Sequence, residues 1–397
     1  MPMTQLKRQP DAGVAASLSA AGPGESTSGE SIGSRIDWSL AAATGRRLAR
    51  PGPKVTAYTL AAARAELADA ARRAEGPVRE VTGLADGLPV PAARILDRGE
   101  WIDAAAQSMS SMLGGRSTPD GYAAAADDSS GLHTLATGVS GKFSGLQAGA
   151  LLAFLSSAIL GQYDPFTPGE GSDPGGVDTA GGDTDPGVLM VVTPNIIAVE
   201  RALRVVPSDF RLWVCLHEVT HRVQFSANPW LRQYMLDNIA ILTSEAGEST
   251  SEILTRITSA VRGGQPREKG IIGVMALLQT PEQYEALSSM MMLGTLLEGH
   301  ADHVMDAVGP AQVPTVEAIR AAFDKRRVAP RNPVQRIIRA LIGMDSKLAQ
   351  YIRGKAFVDE VVGAVGMDRF NTIWTSPETL PRPSEIDEPS RWITRVL

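Results

Sequence analysis

The chain has 397 residues, 43% of them hydrophobic, enough to bury a sizeable core. Its net charge of -6 and pI near 5.5 argue against nucleic acid or an anionic membrane surface as the main partner. The only cysteine, Cys215, cannot form an internal disulfide and suits a reducing, cytoplasmic setting.

Residues 1–34 are rich in Ala, Gly and Ser, ending in GESTSGESIGS, and lack a leucine-rich signal core, so they read as a disordered tail. From Asp37 to about Leu160 the pattern is helical, with Ala-rich segments at Thr56 to Ala74 and Gly99 to Leu113, then Ser144 to Leu160. These segments are expected to form a wall opposite the functional site. Arg46, Arg47 and Arg50 read as a solvated helix end before Pro51. The longest apolar run, Ala148 to Leu160, is too short to span a bilayer.

The Gly- and Asp-rich stretch from Gly169 to Gly187 has neither EF-hand spacing nor a phosphate-loop lysine and is read as a flap near the cleft. Val188 to Val192 follows as a strand, expected at a sheet edge beside the next helix. That helix is predicted from about Asp209 to Ser226, with Ser208 or Asp209 as N-cap and Ala227-Asn228-Pro229 as its stop. Leu212, Leu216, Val219, Val223 and Trp213 supply its apolar stripe. The segment 231–279, broken at Gly263-Gly264-Gln265-Pro266, is read as a lid. Thr280-Pro281-Glu282-Gln283 is a capping box opening an apolar helix that runs to Gly309. Met290, Met291 and Met292 on it read as core filler.

Four of the five histidines sit in two short stretches, HEVTH at His217 to His221 and EGHADH at Glu298 to His303. In His-Glu-x-x-His on a helix the two imidazoles lie one turn apart on one face, where both can bind one zinc, and the glutamate between them can reach a water. Arg222 departs from the stricter motif, which prefers an uncharged residue there. Catalytic zinc takes three protein ligands, so a third is needed, and Glu298 is the candidate. Asp302 shares its helix face and is placed to orient His217 or His221. His300 and His303 form an i, i+3 pair that could hold metal themselves or replace Glu298. The preferred assignment has His303 lining the cleft as a donor to an oxyanion and His300 structural. Tyr163, Tyr234 and Tyr284 compete for the oxyanion role, unranked. Glu218 is expected to take the proton of the attacking water and pass it to the leaving amine. Cys215 points away from the His217 and His221 face and reads as a small buried hydrophobe.

Beyond the motif the chain resembles the type 2 zincin-like metallopeptidases of actinobacteria and relatives, including the subgroup associated with deazaflavin-coenzyme biosynthesis. The resemblance runs from Ile36 to the C-terminus. It is carried by Asp37-Trp38 with Arg50-Pro51-Gly52-Pro53, Leu160-Gly161-Gln162-Tyr163-Asp164-Pro165-Phe166, the HEVTH helix with Gln224-Phe225, EGHADHVMD, and Phe370-Asn371 to Trp374-Thr375-Ser376-Pro377-Glu378. It implies a mainly α zincin-like architecture with a small β element, His217 and His221 as ligands and Glu218 as base. No motif supports binding of the deazaflavin itself. One domain is expected over 35–397, with helical wall and flap at 35–187, metal-site core at 188–310 and a C-terminal helical region at 311–397. The expected function is a zinc metallopeptidase acting on a peptide or amide substrate, with no nucleic-acid or membrane partner. The alternative is a catalytically weak zinc-binding protein acting through partner recognition.

Overall fold

The computed structural model describes residues 36–113, 144–167, 187–244, 280–328 and 344–397. The expected tail at 1–34, the flap at 169–187 apart from Gly187, and most of the expected lid lie outside them. The described elements are mainly helical: α1 (Trp38–Leu48), α2 (Ala57–Thr82), α3 (Arg98–Leu113), α4 (144–155), α5 (Thr193–Leu203), α6 (Pro207–Ala227), α7 (Trp230–Thr243), α8 (Pro281–Gln312), α9 (Val316–Val328) and α10 (Met344–Val365). Short helical turns then run to the C-terminus, ending in α11 (Pro389–Val396). Among the described residues no helix is long and apolar enough to cross a membrane.

The β element is a three-stranded sheet of β1 (Arg94–Leu96), β2 (Gly161–Asp164) and β3 (Val188–Val192) in the order β1-β3-β2. β3 pairs parallel with β1, Ile95 opposite Val191, and antiparallel with β2, Gly161 opposite Val191. All five residues of β3 are buried, as the continuous run VLMVV requires of a strand covered on both faces. β3 is therefore the central strand and not the edge expected from sequence. The strand beside the HEVTH helix is β2. The segment leading into β2 is anchored by Asn195 of α5, whose Nδ2 donates to the carbonyls of Ser156 (2.7 Å) and Ile159 (2.5 Å).

Helix α6 begins two residues before its predicted start, with Pro207 at N1 and no side-chain cap. Asp209 instead accepts from Thr315 N (3.0 Å) and Oγ1 (2.7 Å), tying the first turn of α6 to the start of α9. α6 is buried on nearly every side, packed between α2 and α8 against the sheet, a wider enclosure than its apolar stripe predicts. Its buried arginines carry partners from other helices. Arg211 pairs with Glu200 of α5 (2.8 Å) and with Glu66 of α2. Arg222 pairs through Nε with Glu75 of α2 (2.7 Å) and donates to the Pro91 carbonyl (2.7 Å). The charge that departs from the stricter motif thus points away from the histidines and holds α6 to α2.

The capping box of α8 forms as read: Thr280 Oγ1 accepts from Gln283 N, and Gln283 Oε1 accepts from Thr280 N, both at 3.2 Å. α8 crosses α10 where Gly299 and Gly354 meet; a Cβ on either would collide with the other helix's backbone. That crossing brings α10 against the helix turn that carries Glu298. A second apolar cluster, including Leu296, Phe357, Phe370, Trp374 and Trp392, packs the C-terminal turns under α8.

Candidate metal centre

His217 and His221 lie on adjacent turns of α6, and their Nε2 atoms are 3.2 Å apart. Glu298 of α8 faces both, Oε2 3.2 Å from His217 Nε2 and Oε1 3.8 Å from His221 Nε2. One ligating atom from each of the three residues fits within a 4.8 Å group. Nitrogen and oxygen ligands of a tetrahedral zinc at about 2.0–2.1 Å sit about 3.3 Å from one another, so the donor set and its spacing fit that ion. The group is partly accessible, with side-chain exposures of 23%, 14% and 31% for His217, His221 and Glu298. An opening for a further ligand is therefore present.

The tautomer of His221 follows from its neighbour. Gln224 Nε2 donates to the Leu297 carbonyl (3.0 Å) and lies 2.9 Å from His300 Nδ1, which fixes that end of the amide as nitrogen. Gln224 Oε1 is then the atom 2.9 Å from His221 Nδ1, and it accepts the Nδ1–H. The lone pair of His221 is thereby turned to Nε2, toward His217 and Glu298. Asp302, expected to orient one of these imidazoles, lines the cleft. Its nearest charged partner is Arg320 of α9, 3.8 Å away, and Gln224 holds His221 in its place.

Glu218 is buried in the same cleft, and Gly161 of β2 packs directly on it. A Cβ at Gly161 would stand 2.6–2.8 Å from Glu218 Cγ, Cδ and Oε1. Burial raises the Glu218 carboxyl, the Glu298 charge adds to this and His217 opposes it, leaving it at about 7. For His217, burial opposes the charged form, but the hydrogen bond and charge of Glu298 outweigh it and lift the imidazole to about 9. His221 is shifted down, by burial first, against the partial opposition of Glu298.

His303 does not line the cleft. Its Nδ1 is 2.7 Å from Asp359 Oδ1 on α10, part of a surface network in which Lys355 bridges Asp359 and Asp306. The physical reason is helical phase: five residues beyond Glu298, His303 projects from the flank of α8 that α10 covers. His300 is fully buried, stacked on Phe370 (5.5 Å) and tilted on Trp374 (5.3 Å). Burial first, then the neighbouring His303 and His221, hold it neutral, down to about 3. Of the three tyrosines, Tyr163 lines the cleft, Tyr234 lines a separate cavity and Tyr284 is exposed. Cys215 is buried, its thiol shifted up by burial, with Sγ against the Leu67 carbonyl. Gln224 and Gly161 carried no assigned role in the sequence reading; the signal that could have found them was their place in the blocks shared with the resembled family.

The cleft holds about 500 Å³ between α6, α8, α9 and β2. No curated protein is significantly similar to the chain in sequence. Among solved structures it is similar to a proposed hydrolase of novel fold from Chloroflexus aurantiacus, with 30% identity, a TM-score of 0.57, and coverage of 91% of this chain and 98% of that one. The model of the zincin-like metallopeptidases matches residues 36–393, and with the His217, His221 and Glu298 group at its centre the chain belongs to that family.

Proposed function

We propose that the protein is a zinc-dependent hydrolase of peptide or amide bonds, with His217, His221 and Glu298 holding the metal and Glu218 serving as general base. The observation that carries this reading is the convergence of three ligating atoms from α6 and α8 within 4.8 Å, beside a buried carboxylate. When bound, zinc supplies Lewis-acid polarisation of a carbonyl and acidifies a coordinated water.

The chain's own groups do the rest. Gln224 holds His221 with its lone pair on Nε2. Glu218, buried in the cleft beside the metal group, takes the proton of the attacking water and delivers it to the leaving amine. Gly161, lacking a side chain, lets the backbone of β2 approach Glu218 and keeps one side of its carboxylate shielded from water. Tyr163 in the cleft wall takes over the oxyanion role first given to His303. β2, at the sheet edge beside the metal residues, is the strand against which an extended substrate would lie.

The test is metal content by mass spectrometry on wild type, His221→Ala and Glu298→Ala, paired with a peptide hydrolysis screen on wild type and Glu218→Gln. Near one zinc per chain, lost in both ligand variants, with hydrolysis absent only in a zinc-loaded Glu218→Gln, is the expected result. A wild-type protein that takes up no zinc on reconstitution would remove the reading.

A further inference from the structure

The cleft is chemically two-sided. Its floor is polar, formed by the histidines with Glu218, Glu298 and Asp302, whereas one wall is built from Leu160, Trp213, Met305 and Phe323 with Ala158 at the rim. Trp213 lies one turn before His217 on α6, so the apolar wall begins beside the metal group. Its ring is locked by Phe210 on one side (5.9 Å, stacked) and meets Phe323 of α9 edge-on at 5.2 Å. Behind it Arg320 lies 6.0 Å from the ring, held by Asp306 at 2.6 Å. Trp213 and Met305 are almost wholly buried, while Phe323 and Leu160 keep partly open faces, and Ala158 is exposed. A preformed, rigid apolar face of this kind, opening onto a cavity of about 500 Å³, suits a bulky apolar group.

Resting on the hydrolase reading, we propose that the substrate presents a leucine- to phenylalanine-sized side chain next to the scissile bond, seated between Trp213, Met305, Phe323 and Leu160. Selectivity then comes from area: a glycine or alanine at that position leaves the open faces of Phe323 and Leu160 uncovered, and a large apolar chain removes them and its own surface from water. No metal contact is needed for this preference. It belongs to the wall alone.

The test is equilibrium binding of acetyl-glycinamide, acetyl-leucinamide and acetyl-phenylalaninamide, followed by ligand-observed NMR, to the full chain both metal-free and zinc-loaded. Affinity is expected to rise about tenfold or more from the glycine to the phenylalanine probe. That gain is expected to vanish in Phe323→Ala, and in Ala158→Trp, which fills the rim without opening the core, with zinc uptake unchanged in both. Equal binding of the three probes, or a gain that survives both variants, would overturn the proposal. Because the metal-free measurement involves neither zinc nor turnover, a protein that shows the gain but binds no zinc would lose the hydrolase reading and keep this wall as an apolar binding site.

Discussion

Gln224 Nε2 lies 2.9 Å from Nδ1 of the buried His300, so a histidine that touches no metal residue sets the direction of the amide that orients one. His300, held neutral, has Nδ1 free to accept, and Gln224 is left with only its carbonyl to offer His221. Gln224→Met keeps the volume and removes all three side-chain hydrogen bonds, to His221, His300 and the Leu297 carbonyl. Zinc affinity should fall about 10–100-fold in a chelator competition. An unchanged affinity would mean that His221 needs no orienting partner.

Gly161→Ala places a methyl 2.6–2.8 Å from Glu218 Cγ, Cδ and Oε1, so the carboxylate must leave its place beside the metal group. Hydrolysis should drop by about 10²–10⁴, the worth of a general base, with zinc content kept. Full activity in this variant would separate Glu218 from proton transfer.

Glu75 is buried between Arg222 of α6 and Arg79 of its own helix. Glu75→Leu leaves Arg222 with only the Pro91 carbonyl and should destabilise the protein by about 3–5 kcal/mol in urea unfolding. Adding Arg222→Met should recover most of that loss, since the buried Arg222 charge is then gone and Arg79 keeps the carbonyls of Ala85, Leu88 and Pro89 as partners. If the double variant is as unstable as the single, the pair is not what holds α6 to α2.

Burial opposes ionisation of Glu385, but the Arg395 guanidinium, bonded to both its carboxylate oxygens (2.7 and 2.8 Å), outweighs this and holds its carboxyl below the usual range. A carboxylate with a folded pKa below its unfolded one stabilises above about pH 4.5, and the contribution is lost as pH falls through the folded value. Arg395→Met should therefore lower stability at pH 7 and reduce the steepness of its decline below about pH 4.5. Parallel pH profiles for the two proteins would discount the pair.

Much of the architecture was legible because it rests on local rules. Proline at N1 with a Thr-x-x-Gln box marked the start of α8, and Asn228-Pro229 marked the end of α6. The i, i+4 spacing alone put His217 and His221 on one face, and the structure has their Nε2 atoms 3.2 Å apart.

Other features followed from packing that no local pattern encodes. VLMVV reads as a buried strand, but only its partners make it the centre of the sheet and leave β2 beside Glu218. His303 falls on the same helix as Glu298, and the choice between cleft and flank belonged to α10, whose Asp359 takes it. Arg222 looked like a flaw in the motif until Glu75, 147 residues away, met it. Sequence by itself determined the capping box of α8, the stop of α6 and the shared face of His217 and His221, because hydrogen bonding and periodicity act within a few residues. Tertiary structure decided that Glu298, a candidate in the sequence, does meet the two histidines, and it alone decided that Gln224, directed by His300, bonds His221 and that Trp213 meets Phe323, because each depends on how separate helices cross.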